Sequence, residues 1–179
     1  MKKHLMIAVN WYGPYGSLEE ASEVAKEYWD GGLYAALGRS AQQKKHKIQY
    51  IGIAKELHGR LRTSPKIKEI DDLSLWLGQI ATAEPSGRRM AITKPTLDFA
   101  EWLHVRFVRP SLNEKKTRGL PNRSVTILNR WWSRNDEPYA IQPHRDWPNL
   151  IDFPDDVIPA RAVWFGGKQR LFQAPDYAN

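Results

Sequence analysis

Ile48-Gln49-Tyr50-Ile51-Gly52-Ile53-Ala54-Lys55-Glu56-Leu57-His58-Gly59-Arg60-Leu61 reads as a strand running directly into a short helix. Ile48–Ala54 is apolar and rich in β-branched residues, which suits a buried strand. Lys55–Thr63 reads as a helix that Pro65 breaks. Upstream, Leu33–Leu37 is a second strand, and the loop between the two carries Arg39, Lys44, Lys45, His46 and Lys47. That loop fits a solvated hairpin tip and a phosphate contact equally well. Downstream, Leu73, Leu75 and Leu77 alternate with Ser74, Trp76 and Gly78, which predicts a third strand over Leu73–Ala81. A helix should follow, capped by Thr96, with Asp98 complementing the dipole of its first turn and Pro110 stopping it. Leu97, Ala100, Leu103, Val105, Phe107 and Val108 give that helix an apolar face or two.

On the N-terminal side, Leu5–Val9 reads as a short buried strand and Asn10–Gly16 as a loop. Ser17 with Glu20 three residues on forms a capping box for a helix whose face is Leu18, Ala21, Val24, Ala25 and Tyr28. Gly31 is placed to end it. On the C-terminal side, Glu114–Asn122 reads as an exposed connection and Val125–Trp132 as a strand flanked by Arg123, Arg130 and Arg134. Trp131 and Trp132, being adjacent in a strand, point to opposite faces. Gln142–Ile158 has no periodicity. Ala162–Phe165 and Gln169–Phe172 flank Gly166-Gly167, a two-residue hairpin signal.

Composition bounds the class. A chain of 179 residues with 41% hydrophobic residues and eight tryptophans suits one domain with a real core. A net charge of +7 points, modestly, to a polyanionic partner. There is no cysteine, so thiolate metal sites and disulfides are excluded, in keeping with a reducing cytoplasm. The run Leu5–Val9 lacks signal-peptide length, and no stretch approaches the roughly 20 apolar residues of a membrane span. The expectation is a soluble, cytoplasmic protein with no membrane partner.

Two phenols, a guanidinium and a carboxylate stand in order: Tyr34 in Gly32-Leu33-Tyr34, Tyr50 in Tyr50-Ile51-Gly52, Arg60, and Glu101. Taken singly, each is an ordinary strand or helix residue. As a set they supply what phosphodiester hydrolysis needs: a group to deprotonate or aim water, a fork for phosphate oxygens, and an oxygen ligand for a hard cation. A phenol titrates near pH 10, about three units above neutral, so it acts as a base only where cations lower it. Arg60 and the basic loop are the expected source of that field.

The two tyrosine motifs, the Arg ten residues past the second, and Glu101 followed nine residues on by Pro110 and three later by Asn113 resemble the GIY-YIG nucleases. The resemblance covers roughly 31–113, a little under half the chain. It implies an α/β (α+β) fold with a small central antiparallel three-stranded sheet flanked by helices. Residues 1–30 and a β-rich 114–179 would extend that core within a single domain spanning 1–179. It also implies a divalent-metal-dependent DNA endonuclease with one Mg²⁺ or Mn²⁺ on Glu101, Tyr34 as base or water-positioner, Tyr50 as its hydrogen-bonding partner, Arg60 as phosphate clamp and Asn113 as a supporting residue. A stand-alone chain of this length looks most like the restriction-type members, with 114–179 serving target recognition or a homodimer contact.

The chain departs from that pattern in two places. Many members carry Tyr or His four residues past the Arg, where this chain has Ser64; His58 or His46 could fill in. A Lys that some members place after the second motif is Ile53 here, so Lys55 or Lys47 would replace it. His104, three past Glu101, reads first as a core-edge histidine and second as a proton carrier or hydrogen-bond partner of the metal ligand. Lys44, Lys45, Lys47, Lys55, Arg62, Arg130 and Arg134 are the candidate nucleic-acid contacts. Two other readings stand beside the leading one: a non-cleaving nucleic-acid-binding protein on the same scaffold, and a structure-specific repair or defence nuclease.

Overall fold

The computed structural model describes residues 4–41, 43–82, 93–113, 121–155 and 157–172. The elements in chain order are β1 (Leu5–Tyr15), α1 (Leu18–Tyr28), β2 (Gly32–Arg39), β3 (Lys47–Ala54), α2 (Leu57–Arg62), α3 (Pro65–Lys68), β4 (Asp71–Ile80), α4 (Lys94–Val108), β5 (Val125–Trp132), β6 (Leu150–Phe153), β7 (Ala160–Trp164) and β8 (Lys168–Phe172). The α/β class is as expected, but the three-stranded sheet is not. One eight-stranded sheet runs in the order β3-β2-β4-β1-β5-β6-β7-β8. The expected antiparallel trio β3-β2-β4 sits at one edge of it. The second edge of β4 is taken by β1, and β5 lies parallel to β1 on its other side. Alternation along a strand reports which faces are buried, not which strand lies alongside, so the sequence could not count the sheet.

β1 is longer than Leu5–Val9 because Asn10, Trp11 and Tyr12 have ladder partners on both sides, in β4 and in β5. β6 lies inside the aperiodic stretch 142–158 and is held as a rung between β5 and β7. A hairpin forms at Gly166-Gly167, both at positive φ, but its loop has three residues, Phe165 to Gly167, between the paired Trp164 and Lys168. Residues 114–120 of the expected connection lie outside the described residues.

Helix ends follow side-chain chemistry. Ser17 Oγ accepts from Glu20 N at 3.1 Å, while the Glu20 carboxylate accepts from Gly16 N, one residue earlier than a strict capping box. α1 ends at Tyr28, which is exposed, and Gly31 has another role: a Cβ there would lie 2.8 Å from Lys55 O. Thr93, not Thr96, caps α4. Its Oγ1 accepts from Thr96 N, and Pro95 in the first turn has no N–H to waste. Arg109, left-handed at φ 56°, and Pro110 close it.

The sheet has two apolar layers. Leu33, Ala35, Ile51, Trp76, Ile7, Val9 and Trp11 share one cluster with α4 and Trp147. Tyr34, Ala36, Leu75 and Leu77 share another with α1, α2 and α3. α4 touches strands from both ends of the sheet, Trp102 against Phe153 of β6 and Phe107 against Phe172 of β8, besides packing on β3. The sheet therefore curls around α4, which is why that helix is apolar on more than one side. Among the described residues no helix is long and apolar enough to cross a membrane.

Candidate active site

Tyr34 and Tyr50 meet through the register of the β2–β3 hairpin. Tyr34 pairs with Gly52 and Ala36 with Tyr50, so the phenols are diagonal neighbours on the α1–α3 face. Their ring centroids are 5.7 Å apart with planes 27° from parallel. Gly52 makes the space: a Cβ there would stand 2.8 Å from the Tyr34 hydroxyl and 2.8 Å from Cε1 of Tyr50. The motif Tyr50-Ile51-Gly52 thus has a packing meaning. Ile51 fills the α4 side, and the other two positions hold a phenol and the gap beside it.

Arg60 arrives from α2. Glu56 caps that helix by accepting from Gly59 N at 2.8 Å, which fixes the turn bearing the guanidinium. Arg60 Nε donates to the Tyr34 hydroxyl at 3.0 Å, so an exposed cation is tied to a buried phenol. Burial is the largest influence on Tyr34 and raises its pKa well above the ordinary value; Tyr50 adds to the rise and Arg60 only opposes it. Arg60 is raised in turn, first by Tyr34. The expected cationic lowering of the phenol is therefore not what the fold produces. Arg60 is the cation that acts on Tyr34, and the loop lysines lie past Gly38 and Lys47, at the far end of the hairpin.

Asn113 serves the free edge of β3. Its Oδ1 accepts from Ile51 N at 3.0 Å and its Nδ2 donates to Ile51 O at 2.7 Å, completing a ladder that has no further strand among the described residues. Leu112 N adds a bond to Gln49 O at 2.8 Å. Glu101, by contrast, rides on α4, whose buried residues belong to the face of the sheet opposite Tyr34. α4 packs chiefly against β3, the edge strand that carries Tyr50, so the carboxylate helix and the phenols flank one edge from opposite faces. Among the described residues no three His, Asp or Glu side chains gather as a metal site. The donor set suits only a hard cation that takes one carboxylate and completes its shell with water and phosphate oxygens.

The remaining candidates fall into structural and peripheral places. His104 is fully buried, its ring nitrogens 2.7 Å from Ala100 O and 2.9 Å from Asn129 Oδ1, and burial lowers its pKa. Its place is the core rather than the core edge, packed edge-on against Trp11. His58 Nδ1 lies 2.9 Å from Ser22 O and locks α2 to α1, so this nitrogen does not stand in for the residue missing at Ser64. Ser64 is itself buried, at the start of α3. His46 sits at the hairpin tip against His144. Lys44, Lys45 and Lys47 share that tip, Lys55 precedes α2 and Arg62 ends it, and Arg134 pairs with Glu20. Arg130 lies over the Trp132 ring at 5.2 Å. No local pattern marks Asn129, whose Oδ1 also accepts from Trp11 Nε1 at 2.8 Å, because its partners lie 19 to 118 residues away.

Comparison with protein-family models, with curated proteins and with solved structures yields no match. The family resemblance rests on the motif residues themselves.

Proposed function

We propose that this protein is a phosphodiester hydrolase of the GIY-YIG type that cuts DNA, with Tyr34, Tyr50 and Arg60 as its phosphate-handling centre. The observation that carries the reading is the Arg60 Nε to Tyr34 hydroxyl bond, beside a second phenol in a space that only a glycine leaves. With Nε committed, the Nη groups of Arg60 form the outward edge of a fork that matches two phosphate oxygens. The Tyr34 hydroxyl, its pKa raised by burial and by Tyr50, stays protonated at neutral pH, accepts from Arg60 and has the Tyr50 side chain as its other hydrogen-bond partner. Its role is to aim, not to carry off a proton unaided. A Mg²⁺ or Mn²⁺ ion on Glu101, when bound, would supply charge neutralisation and stabilise the leaving 3′-oxygen.

A second reading has an observation of its own. Ser64 is buried where many of the nucleases the chain resembles carry Tyr or His. That favours a scaffold that binds nucleic acid without cutting it.

One experiment separates them. Long duplex, supercoiled plasmid and branched DNA are incubated with Mg²⁺, Mn²⁺ or chelator. Metal-dependent cutting is expected, falling about 10²–10³-fold in Arg60→Ala and lost in Glu101→Ala with binding retained. Cutting of branched DNA alone selects the repair or defence nuclease over the restriction type. An Arg60→Ala protein that cuts at the wild-type rate sinks the site assignment, and binding without any cutting selects the non-cleaving scaffold.

A further inference from the structure

The two edges of the sheet are finished differently. At β3 the Asn113 side chain and the Leu112 N–H bond to the outer main-chain groups of Ile51 and Gln49, and the edge is closed. At β8 no strand or side chain among the described residues does the same. β8 pairs with β7 from Ala160↔Phe172 to Trp164↔Lys168, and in an antiparallel pair every second residue turns its N–H and C=O away from the partner strand. The strand is nonetheless anchored: Phe172 is buried, edge-on to Phe107 of α4 with ring centroids 4.8 Å apart. A fixed strand with an open row of donors and acceptors is a template for one more strand.

Its side chains select the chemistry of that strand. Phe172 faces the α4 layer, so Lys168 and Arg170 lie on that face and Gln169 and Leu171 on the other. Lys168 to Leu171 are all exposed. The ammonium of Lys168 stands 4.2 Å from the centre of the Trp164 ring, and the guanidinium of Arg170 4.8 Å from that of Phe172. These rings steady the two cations without neutralising them, and among the described residues no carboxylate forms an ion pair with either. Arg161 on β7, by contrast, is paired with Asp152. Apolar surface gathers here too: Val157, Ile158, Phe165 and Leu171, in this hairpin or just ahead of it, are each more than half exposed.

Two other occupants fit poorly. A second copy paired through β8 about a two-fold axis normal to the sheet would centre on Gln169, setting Lys168 against Arg170, or on Arg170, setting that residue against itself. Like charges directly opposite are destabilising. Centring on Leu171 avoids the clash but overlaps only Arg170 to Phe172. A nucleic-acid backbone would meet the cations, but its phosphates only accept, whereas the edge presents donors and acceptors together at a repeat of about 7 Å.

We infer that the β8 edge binds an extended acidic peptide segment of a partner protein as an added strand. Carboxylates at alternate positions lie against Lys168 and Arg170, and an apolar side chain between them lies against Leu171. The inference goes beyond the cleavage reading and does not depend on it.

The test uses the full chain and three fluorescein-labelled peptides, read by fluorescence polarisation. One is acetyl-Val-Glu-Leu-Glu-Val-amide; the second has Lys in place of both Glu; the third is the Glu peptide with every amide N-methylated, which keeps the charge and removes the donors. The first should bind, and the other two should bind at least about tenfold more weakly, as loss of ladder bonds and of opposite-charge pairs requires. In the double variant Lys168→Glu, Arg170→Glu the preference should invert to the Lys peptide. A gain of binding cannot come from misfolding, so the inversion guards against a folding defect. Equal binding of the Glu and Lys peptides, full affinity of the N-methylated one, an unchanged variant, or no binding to any peptide each overturns the inference. So does a dimer, seen by sedimentation, that the double variant disperses, because it would put a second copy at this edge.

Discussion

The two faces of the sheet treat polar side chains in opposite ways. On the α4 face, His104 and Asn129 are sealed among Trp11, Trp147 and Ala100, and their bonds are to one another, to Trp11 and to main-chain carbonyls. On the α1–α3 face, Tyr34 is as deeply placed, but its hydroxyl is bonded to a guanidinium that reaches solvent. The first arrangement fixes packing and offers nothing to a ligand. The second carries a buried group's chemistry to the surface. A histidine three residues from a candidate metal ligand is thus structural, while a strand tyrosine is the reactive candidate. The type of residue would have suggested the reverse.

Three changes probe that contrast. The largest effect is expected on the sealed face. Asn129→Leu leaves Trp11 Nε1, His104 and Pro148 O without their partner, and should cost about 3 kcal/mol, since each buried unmet group costs roughly 1–3; urea unfolding measures it. A loss under ~0.5 kcal/mol would mean water reaches this face and the contrast is false.

On the open face, Gly52→Ala pushes a methyl between the two phenols. The expected stability loss is smaller, about 1–2 kcal/mol, because the Tyr50 ring is only half-buried and can move. Cleavage should fall further than stability. If the variant melts lower but cuts normally, the pairing of Tyr34 with Tyr50 is only packing.

The smallest effect is a pH dependence. Burial lowers the pKa of His104 below that of the unfolded imidazole, about 6.5. Between those two values the unfolded chain binds more protons, so stability falls as pH falls, by at most ~1.4 kcal/mol per unit, and nothing is lost above neutrality. His46 is lowered too, first by partial burial and then by His144, so the comparison is with His104→Gln. The variant should be less stable at pH 7 but flatter from pH 7 to 5. Parallel curves would show that His104 is already protonated in the fold.

Much of the open face was legible. The β2–β3 hairpin, the helix beginning near Lys55 and the Pro110 stop follow from local patterning, which acts within a few residues. The pairing of Tyr34 with Gly52, and the reach of Arg60 to that phenol, follow once a hairpin and a following helix are granted. The sealed face was not legible. β6 is four residues long and has no period, and Asn129 gathers partners from β1, α4 and the 148 carbonyl. Thr93 and Thr96 are both good capping residues, and only the helix's actual start, before Pro95, chooses between them.

By itself, then, the sequence determined the elements around the tyrosines and the order of the four polar groups, because hydrophobic period, turn residues and caps are short-range. Only the tertiary structure decided that the three strands belong to a sheet of eight. It also decided that α4 lies inside the curl, on the face opposite the phenols, and that burial raises the pKa of Tyr34. Those outcomes depend on which strand edges pair and how much water each face excludes, quantities set by contacts between residues far apart in the chain.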